Sequence, residues 1–394
     1  MINKISSCGR ITTEVKWPLV KLNEACSLNM GQSPDSSGYN DEGKGLPFYQ
    51  GNADFGTLTP VTRLFCNNPT KIAHAGDILL SVRAPIGAVN IANQTCCIGR
   101  GLAALTAYRD VDVKFLYYAI KSKHGEFNAK GTGSTFKAIN KKALYETRIP
   151  LPALAEQKNI ANILDNVSNL ISLCKKQIMQ LDLLVKSRFI EMFGDPVTNP
   201  KAWAIVKLKS ISQKISDGVH AKPIYTTEGK PFISVVNITR GFVDFTNCKY
   251  VSEEAYAQMI RSTHPEKGDI LYTKVGATYG IPAYIDTDKE FCLYVSVCLI
   301  KPLHDKVNAK FLSHSMAMPY IKRQADQRIK GIGVPDLHLN QIREFDILLP
   351  PVALQNRFVA FVEQLDKSKF SVSRQQKMID SCQRGIILHL TGRL

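Results

Sequence analysis

Two short stretches of the sequence bring together residue types that nucleotide-binding and DNA-cleaving enzymes use. GYNDEGKG, from Gly38 to Gly45, has the Gly-x4-Gly-Lys spacing of a phosphate-binding loop, but Gly45 stands where such a loop needs a metal-binding Ser or Thr. Asp35, Glu42 and Lys44 repeat the carboxylate–carboxylate–lysine set of some nucleases, yet all three lie in one polar loop rather than on adjacent strands. Both stretches are better explained as a turn-rich loop.

Motifs for methyl transfer and metal catalysis are missing as well. NNPT (Asn67 to Thr70) lacks the second proline and the aromatic residue of a DNA methyltransferase loop, and no Gly-x-Gly-x-x-Gly follows a predicted strand. The eight histidines form no HExxH pattern, and the ten cysteines form no Cys-x-x-Cys pair. We therefore expect no catalysis, no metal site and no cofactor, and free thiols in a reducing cytoplasm.

The charge of the chain indicates what it binds. Fifty Lys and Arg residues against 34 Asp and Glu give a net charge of +16, which favours a polyanionic partner. Charge alone does not separate nucleic acid from an acidic protein or a membrane surface. No apolar run reaches 18 residues, and the first residues have no apolar signal-peptide core, so we expect neither a membrane span nor export.

The elements that would position binding residues occur twice. GDILLSVRAPIG begins at Gly76, and GDILYTKVGATYG begins at Gly268. Four more blocks recur in the same order: WPLVKL with WAIVKL, LPFYQGNADFG with KPFISVVNITRGFVDF, GTGSTFKAIN with GIGVPDLHLN, and RIPLPALAEQKNI with DILLPPVALQNRF. This pattern predicts a tandem duplication of a large unit. Short apolar runs between Gly, Pro, Asn and Asp clusters, with a helix at VKFLYYAIKS (Val113 to Ser122), predict a mixed α/β fold for each unit.

Each unit is followed by a long predicted helix. The first has a heptad-like apolar seam at Ile160, Ile163, Val167, Leu170, Cys174, Ile178, Leu181 and Val185. The second has its seam at Val362, Leu365, Lys369, Val372, Gln376, Ile379, Gln383, Ile386 and Leu390. We expect the two helices to pair antiparallel and to bury Ile163, Val167, Leu170 and Ile178 between them. Gly194 is predicted to cap the first helix, with Pro196 and Pro200 beyond it.

Two similar basic modules held apart by a helix pair would suit DNA, whose grooves return to the same side after about 34 Å. The arrangement resembles the specificity subunit of Type I restriction-modification enzymes across essentially the whole chain. The motifs that carry this resemblance are GDILLSVRAPIG, IPLPALAEQKNIANILD, LDLLVKSRFIEMFGDP with NPKAW, SDGVHAKP and ILHLTGRL. The repeats RIPLPALAEQKNI and DILLPPVALQNRF, which we call the proline blocks, differ at one notable position. Leu354 of the second block stands where the first block has Glu156, so the two partner-binding surfaces are expected to differ.

The resemblance implies a non-catalytic DNA-recognition subunit with a pseudo-two-fold, mixed α/β (α+β) architecture. Two target-recognition domains (1–151 and 194–350) would alternate with two helical spacers (152–193 and 351–394), the spacers forming an antiparallel coiled-coil-like pair. Each domain would read half of a bipartite, asymmetric DNA site. Two methylation subunits would bind the helices, and motor-nuclease subunits would complete the complex. S-adenosylmethionine, ATP and Mg²⁺ would be bound by these partners only.

Basic and polar residues on loops are the candidates for DNA contact. Arg83, just after the first GDIL strand, and Lys274, which we take as its equivalent in the second, suit phosphate or guanine. The other candidates are Gln32, Ser33, Arg100, Lys130, Lys137, His220, Lys222, Thr278 and Lys330. Arg100 has an alternative role in capping a sheet edge. For partner contact we select Pro152, Glu156, Gln157, Pro350 and Gln355 at the helix starts.

Two other functions remain open on the sequence. A stand-alone bipartite DNA-binding regulator would need no methylation subunit. A basic scaffold that binds acidic proteins would lack a steep salt dependence of DNA affinity.

Overall fold

The computed structural model of the chain describes residues 17–133, 137–329 and 333–391, with backbone only at 389–391. The chain divides into two units. The first unit contains residues 1–176 and 372–394, and the second contains residues 177–371. The bounds of each long helix, Leu154–Phe193 and Val352–Thr391, lie close to the predicted spacers. Each unit contains part of both helices. The two observed units therefore do not coincide with the four predicted segments, and the division into four segments stays a prediction.

The first unit is built from short strands and helices. Its strands are β1 (Leu19–Lys21), β2 (Cys26–Met30), β3 (Tyr39–Asn40), β4 (Leu46–Tyr49), β5 (Leu64–Cys66), β6 (Ile72–Ala73), β7 (Ile78–Ser81), β8 (Val89–Ile91), β9 (Cys96–Ile98), β10 (Leu102–Ala107) and β11 (Arg148–Pro150). Its helices are α1 (Leu22–Ala25), α2 (Val113–Ser122), α3 (His124–Lys130), α4 (Lys141–Tyr145) and the start of α5 (Leu154–Phe193).

The second unit repeats this construction. Its strands are β12 (Ala204–Lys207), β13 (Ser212–Asp217), β14 (Lys230–Ile233), β15 (Lys249–Val251), β16 (Ile270–Thr273), β17 (Pro282–Tyr284), β18 (Cys292–Leu293), β19 (Val297–Pro302) and β20 (Asp346–Leu349). Its helices are α6 (Glu253–Met259), α7 (Ala309–Met316), α8 (Pro319–Arg328), α9 (Leu339–Arg343) and the start of α10 (Val352–Thr391).

The sheets show that the predicted duplication is real. An antiparallel four-stranded sheet is ordered β2-β10-β7-β8 in the first unit and β13-β19-β16-β17 in the second. A two-stranded sheet, β1-β11 or β12-β20, precedes each long helix. The parallel pairing of β4 with β9 is matched by that of β14 with β18. The predicted mixed α/β fold and tandem organisation are therefore confirmed.

The residue pattern explains why these elements form. The second GDIL strand, β16, and its counterpart β7 are each buried at all four residues. Both are central strands of a sheet whose two faces are covered, and such strands need continuous apolar runs. The helix predicted at Val113 to Ser122 is α2, whose first turn is capped by the Asp112 side chain accepting from the Phe115 amide. Its apolar face enters the core of the first unit beside α5.

Within the second unit the two long helices run antiparallel. Asp182 of α5 pairs with Lys369 of α10 at 2.7 Å. Further along α5, Phe189 and Phe193 each pack edge-on against Phe358, near the start of α10, with ring centroids 5.6 Å apart. The order of contacts along one helix is the reverse of that along the other, as predicted.

Within the first unit, Gln383 Nε2 of α10 donates to Ser168 Oγ of α5 at 2.9 Å. The predicted α10 seam is confirmed, since every member from Val362 to Ile386 is buried or half-buried, and the side chain of Leu390 lies outside the described residues. The α5 seam is wrong at two places. Ile163 and Leu170 are 40% and 48% exposed, and their neighbours Leu164 and Ile171 are buried instead.

The C-terminus of α5 ends as the sequence predicts. Gly194 has φ +79, and its amide donates to the Ile190 carbonyl at 2.7 Å. A Cβ at this position would also come within 2.7 Å of the Pro200 ring, so glycine is required both for the left-handed conformation and for the space. Lys201 Nζ then donates to the carbonyl oxygens of Glu191 and Met192, which satisfies two free acceptors of the last turn.

Candidate nucleic-acid interface

One end of each four-stranded sheet gathers the loops that carry most candidate residues. In the first unit β2 and β7 end, and β8 and β10 begin, at the same edge, because neighbouring strands are antiparallel. We call this edge the strand-end face. In the first unit it comprises residues 31–33, 82–87, 99–101 and the described part of 131–139. In the second unit it comprises 218–222, 274–280, 294–296 and 333–338.

Backbone hydrogen bonds join the loops of the first strand-end face. The Val82 amide donates to the Gly101 carbonyl at 2.9 Å, and the Val82 carbonyl accepts from the Ile139 amide at 2.9 Å. The Ala84 amide donates to the Lys137 carbonyl at 3.1 Å, which places the Arg83 loop beside Lys137. Three loops distant in sequence are thereby held together.

Five of the six candidates of the first unit lie on this face. Gln32, Arg83, Arg100 and Lys137 are exposed, and the half-buried Ser33 accepts a hydrogen bond from the Arg100 amide at 3.3 Å. Within residues 17–133, 137–329 and 333–391, no carboxylate forms an ion pair with any of the three cations. Their charge is thus available to an anion.

Lys130 is the sixth candidate, and its ammonium group is already engaged. Lys130 Nζ lies 2.7 Å from Glu126 Oε1 within α3 and donates to Thr147 Oγ1 at 3.1 Å. It is therefore a weaker candidate for phosphate contact than Arg83 or Lys137.

The second strand-end face repeats the same backbone bonds and corrects one assignment. The Lys274 amide donates to the Ser296 carbonyl at 3.0 Å, and the Lys274 carbonyl accepts from the Leu337 amide at 2.9 Å. These are the bonds that Val82 makes in the first unit. Lys274 is therefore equivalent to Val82, and the residue equivalent to Arg83 is Val275, which bridges Asp336 as Arg83 bridges Ala138.

A shift of one residue along an extended segment turns the side chain to the other face, and this explains where Lys274 points. The residue is 5% exposed. Its Nζ lies 3.5 Å from Asp217 Oδ2 and 3.7 Å from Asp336 Oδ1. The expected contact of Lys274 with DNA is contradicted by this burial. The sequence alone allows the same assignment, because Lys274 and Val82 lie at the same distance along the chain from their GDIL motifs.

The other candidates of the second unit lie at its surface. His220, Lys222 and Thr278 are exposed. His220 Nε2 lies 3.5 Å from Asp217 Oδ1, and Lys222 Nζ lies 5.9 Å from the ring centre of Tyr225. Lys330 lies outside the described residues. The structure thus gathers three further candidates near the second strand-end face.

A neighbouring cation of the second unit is neutralised. Lys322 of α8 lies 3.5 Å from the ring centre of Tyr279, and both donate to Asp326. The hydrogen bond from Lys322, with that from Tyr279, lowers the pKa of the Asp326 carboxyl below its ordinary range. Lys322 therefore adds little free positive charge beside the second face.

The residues selected for partner contact lie mostly inside. Gln157 and Gln355 are 1% and 0% exposed, and Pro152 and Pro350 are buried too. Glu156 alone of the five is exposed.

Each glutamine links the start of a long helix to the start of another helix. Gln157 Oε1 accepts from the Asp112 amide at 2.8 Å, and its Nε2 donates to the Pro152 carbonyl at 2.8 Å. Likewise, Gln355 Oε1 accepts from the Asn308 amide at 2.8 Å, and its Nε2 donates to the Pro350 carbonyl at 2.8 Å. Because every polar atom of these side chains is engaged inside the unit, a direct partner contact through either glutamine is contradicted.

Among residues 17–133, 137–329 and 333–391 no helix is long and apolar enough to cross a bilayer. Nor does that part of the chain bring together three His, Cys, Asp or Glu side chains suited to a metal ion.

Comparison with known proteins identifies the repeated unit. A family model described as the Type I restriction modification DNA specificity domain matches residues 14–183 and again residues 200–378. Each match contains one complete set of the sheets described above.

Three relatives illustrate the extent of the likeness. The putative type I restriction enzyme MjaX specificity subunit of Methanocaldococcus jannaschii is 44% identical over 182 residues, which are 45% of this chain and 42% of that protein, so this chain spans less than half of it. The EcoBI specificity subunit of Escherichia coli is 22% identical over 93% of this chain and 83% of its own. The crystal structure of a Type I restriction-modification S subunit from M. genitalium superposes with a TM-score of 0.59 at 18% identity, covering 97% of both chains, which shows a shared fold. Since the domain is matched twice and covers most of the sequence, the chain belongs to the Type I restriction-modification DNA specificity family.

Proposed function

We propose that this chain is the sequence-recognition subunit of a Type I restriction-modification complex and that each unit reads one half of a bipartite, asymmetric DNA site. The observation that carries the proposal is the repetition of the specificity domain on two segments whose four-stranded sheets gather polar and basic loops at the same edge. Methyl transfer and DNA cleavage would belong to partner subunits, and S-adenosylmethionine, ATP and Mg²⁺ would be bound there.

On the first strand-end face, Arg83, Arg100 and Lys137 would contact phosphate or guanine, because their cations are exposed and form no ion pair with the part of the chain that the structure describes. The amide of Gln32 can pair with an adenine edge, and Ser33 can donate or accept nearby. On the second face His220, Lys222 and Thr278 would take these roles, with Lys330 retained on sequence grounds. Lys130 is kept as a secondary phosphate contact.

The methylation subunits would dock on the long helices. In the first unit α5 exposes Ile163, Leu170 and Leu173 by 40%, 48% and 56%, and several exposed apolar side chains on one helix favour a protein partner. Glu156 would contribute from the helix start. Pro152, Gln157, Pro350 and Gln355 would act from inside, by holding each helix start on its own unit. Motor-nuclease subunits would join the assembly through the methylation subunits.

Two alternatives predict different behaviour. A stand-alone regulator would bind a specific site tightly without any methylation subunit. A basic scaffold for acidic proteins would bind DNA without a steep salt dependence. Counterion release demands that log affinity falls by several units for each unit rise in log salt concentration.

The test is co-expression of the chain with its methylation subunit, followed by mapping of methylated bases across the host genome. We expect one split, asymmetric motif with a fixed spacer. The methylation subunit expressed alone is the control and should leave that motif unmodified. Tight specific binding by the chain alone, without a modified motif, would favour the regulator, and the absence of both would favour the scaffold.

A further inference from the structure

The second strand-end face contains an ionic group where the first has apolar residues. Asp217, Lys274 and Asp336 form the group, with Lys274 Nζ 3.5 Å from Asp217 and 3.7 Å from Asp336. His220 lies beside it, with Nε2 3.5 Å from Asp217 Oδ1. Charged residues thus link the end of β13 to two loops of one recognition unit.

Backbone geometry identifies the matching residues of the first unit. The amide two residues after Asp217, that of Val219, donates to the Leu293 carbonyl, as the Gln32 amide donates to Ile98, so Asp217 corresponds to Met30. Lys274 corresponds to Val82 and Asp336 to Ala138. The same fold therefore accommodates Met, Val and Ala at these three positions.

The ionic group is not needed to stabilise the fold. The side chains of Lys274 and Asp217 are 6% and 17% exposed, and replacing a buried ion pair with apolar residues is often neutral or stabilising. The first unit is a natural example of such a replacement. A function of the second unit is the better explanation for charges in this place.

Asp336 is the member that can reach a ligand. Its side chain is 43% exposed, whereas its Oδ1 is buried and accepts no hydrogen bond from the described residues. A carboxylate on a surface that approaches phosphates is repelled by them, and a hydrogen bond accepted from the DNA would offset the cost of that repulsion. In the major groove the donors that can provide this bond are the exocyclic amino groups, cytosine N4 and adenine N6.

We propose that Asp336 accepts a hydrogen bond from an exocyclic base amino group in the half-site read by the second unit, an inference that rests on the proposed function. Lys274 and Asp217 are positioning residues. Lys274 compensates the charge of Asp336 close to the DNA backbone, and Asp217 holds Lys274 from the end of β13. The first unit has Ala138 at this position and therefore has no carboxylate there for such a contact.

The test measures base preference, with the motif first established by methylation mapping. The full chain, with its methylation subunit, is assayed by competition among duplexes that carry each base pair in turn at every position of both half-sites. Wild type should discriminate at one position of the second half-site by about 5- to 150-fold, the range expected for one base-edge contact. Asp336→Ala should reduce this to less than about twofold and leave all other positions and the salt dependence unchanged.

Three further variants make the result decisive. Lys274→Met should relax the same single position, an effect that a purely structural role would not produce. The triple variant Asp217→Met, Lys274→Val, Asp336→Ala installs the residues of the first unit and provides a folded form with the same relaxed position. Asp288→Ala removes an 84% exposed carboxylate beyond β17, at the opposite end of the sheet, and should change no preference.

The outcomes separate the two proposals. A wild-type complex without any bipartite motif overturns the proposed function, and this inference with it. A wild-type bipartite motif that Asp336→Ala and the triple variant both retain at every position overturns this inference alone.

Discussion

At the scale of single residues, His314 makes the second unit sensitive to acid. Its ring packs edge-on against Phe358, with centroids 5.8 Å apart. Burial lowers the pKa of His314 to about 4, while the nearby Asp366 and Asp182 raise it and Lys369 and Lys310 lower it further. The folded chain therefore keeps this imidazole neutral at a pH where the unfolded chain is already protonated.

The sign of the pH effect follows from that difference. Above pH 6.5, the ordinary value for histidine, both states are neutral and His314 adds no pH dependence. As the pH falls from 6.5 towards 4, protons bind the unfolded state preferentially, so the free energy of unfolding decreases by about 1.4 kcal/mol per pH unit.

We predict that His314→Gln removes this contribution. Denaturant unfolding at pH 7 and pH 5 should show a smaller loss of stability in the variant than in the wild type. His220→Gln, which changes a 78% exposed histidine of the same unit, should keep the wild-type loss. Equal losses in wild type and His314→Gln would contradict the prediction.

The exposure of a candidate residue could be predicted where one loop decides it, and could not where contacts between distant segments do, while DNA contact itself stays a prediction. Arg83 and Lys137 were found from their loop positions, and both are exposed. Lys274 was selected by its charge, although its offset from GDIL places it one residue before the position of Arg83. Gln157 was selected by its motif. Its neighbour Glu156 is exposed, and the sequence does not indicate that Gln157 turns inward to bond the Asp112 amide.

At the scale of elements, the long helices show what periodicity can and cannot determine. Apolar residues are adjacent at Ile163 and Leu164 and again at Leu170 and Ile171, so a spacing of three or four fits either member of each pair. The structure buries the second member of each pair. The helix bounds and the cap came from stronger signals, namely the proline blocks and Gly194, and the antiparallel direction came from the order of units and helices along the chain.

Leu164 and Ile163 provide a matched test of this seam. Leu164 is fully buried in the core of the first unit, so Leu164→Ala should lower the free energy of unfolding by about 2–5 kcal/mol through lost contacts and the cavity left behind. Ile163 is 40% exposed, and Ile163→Ala should cost less than about 1 kcal/mol. Denaturant unfolding of the two variants measures the difference.

The second readout of these variants is partner binding. Ile163→Ala should weaken association with the methylation subunit although it barely changes stability, because it removes exposed apolar area from α5. A similar loss of stability in both variants would contradict the observed seam. Unchanged association would remove Ile163 from the proposed docking surface.

At the scale of the whole molecule, one fold is used twice with different surface chemistry. The sheets have the same order in both units, and the same backbone bonds close both strand-end faces. Arg83, Arg100 and Lys137 of the first face form no ion pair among the described residues, whereas on the second face Lys274 pairs with carboxylates and the exposed Lys222 does not. The duplication could be predicted from the sequence because short motifs repeat in order. The difference in charge pairing could not be predicted, because it depends on contacts between segments distant in sequence.

This asymmetry predicts how salt affects DNA binding. A net charge of +16 implies an affinity that falls steeply with salt, and each phosphate contact contributes about 0.9 to the slope of log affinity against log salt. Arg83→Ala should therefore reduce the slope by about 1, and Lys274→Met should leave it unchanged because its ammonium is buried between two carboxylates.

The control is an arginine of the same sheet at the opposite end. Arg109 is exposed and follows β10, which begins at the strand-end face and ends away from it. Arg109→Ala removes the same charge from the chain, so it tests whether position rather than net charge matters. Binding titrations from about 50 to 200 mM salt should give wild-type slopes for Arg109→Ala and Lys274→Met and a shallower slope for Arg83→Ala. Equal slopes for the two arginine variants would place Arg83 outside the interface, since a general loss of charge would then explain both.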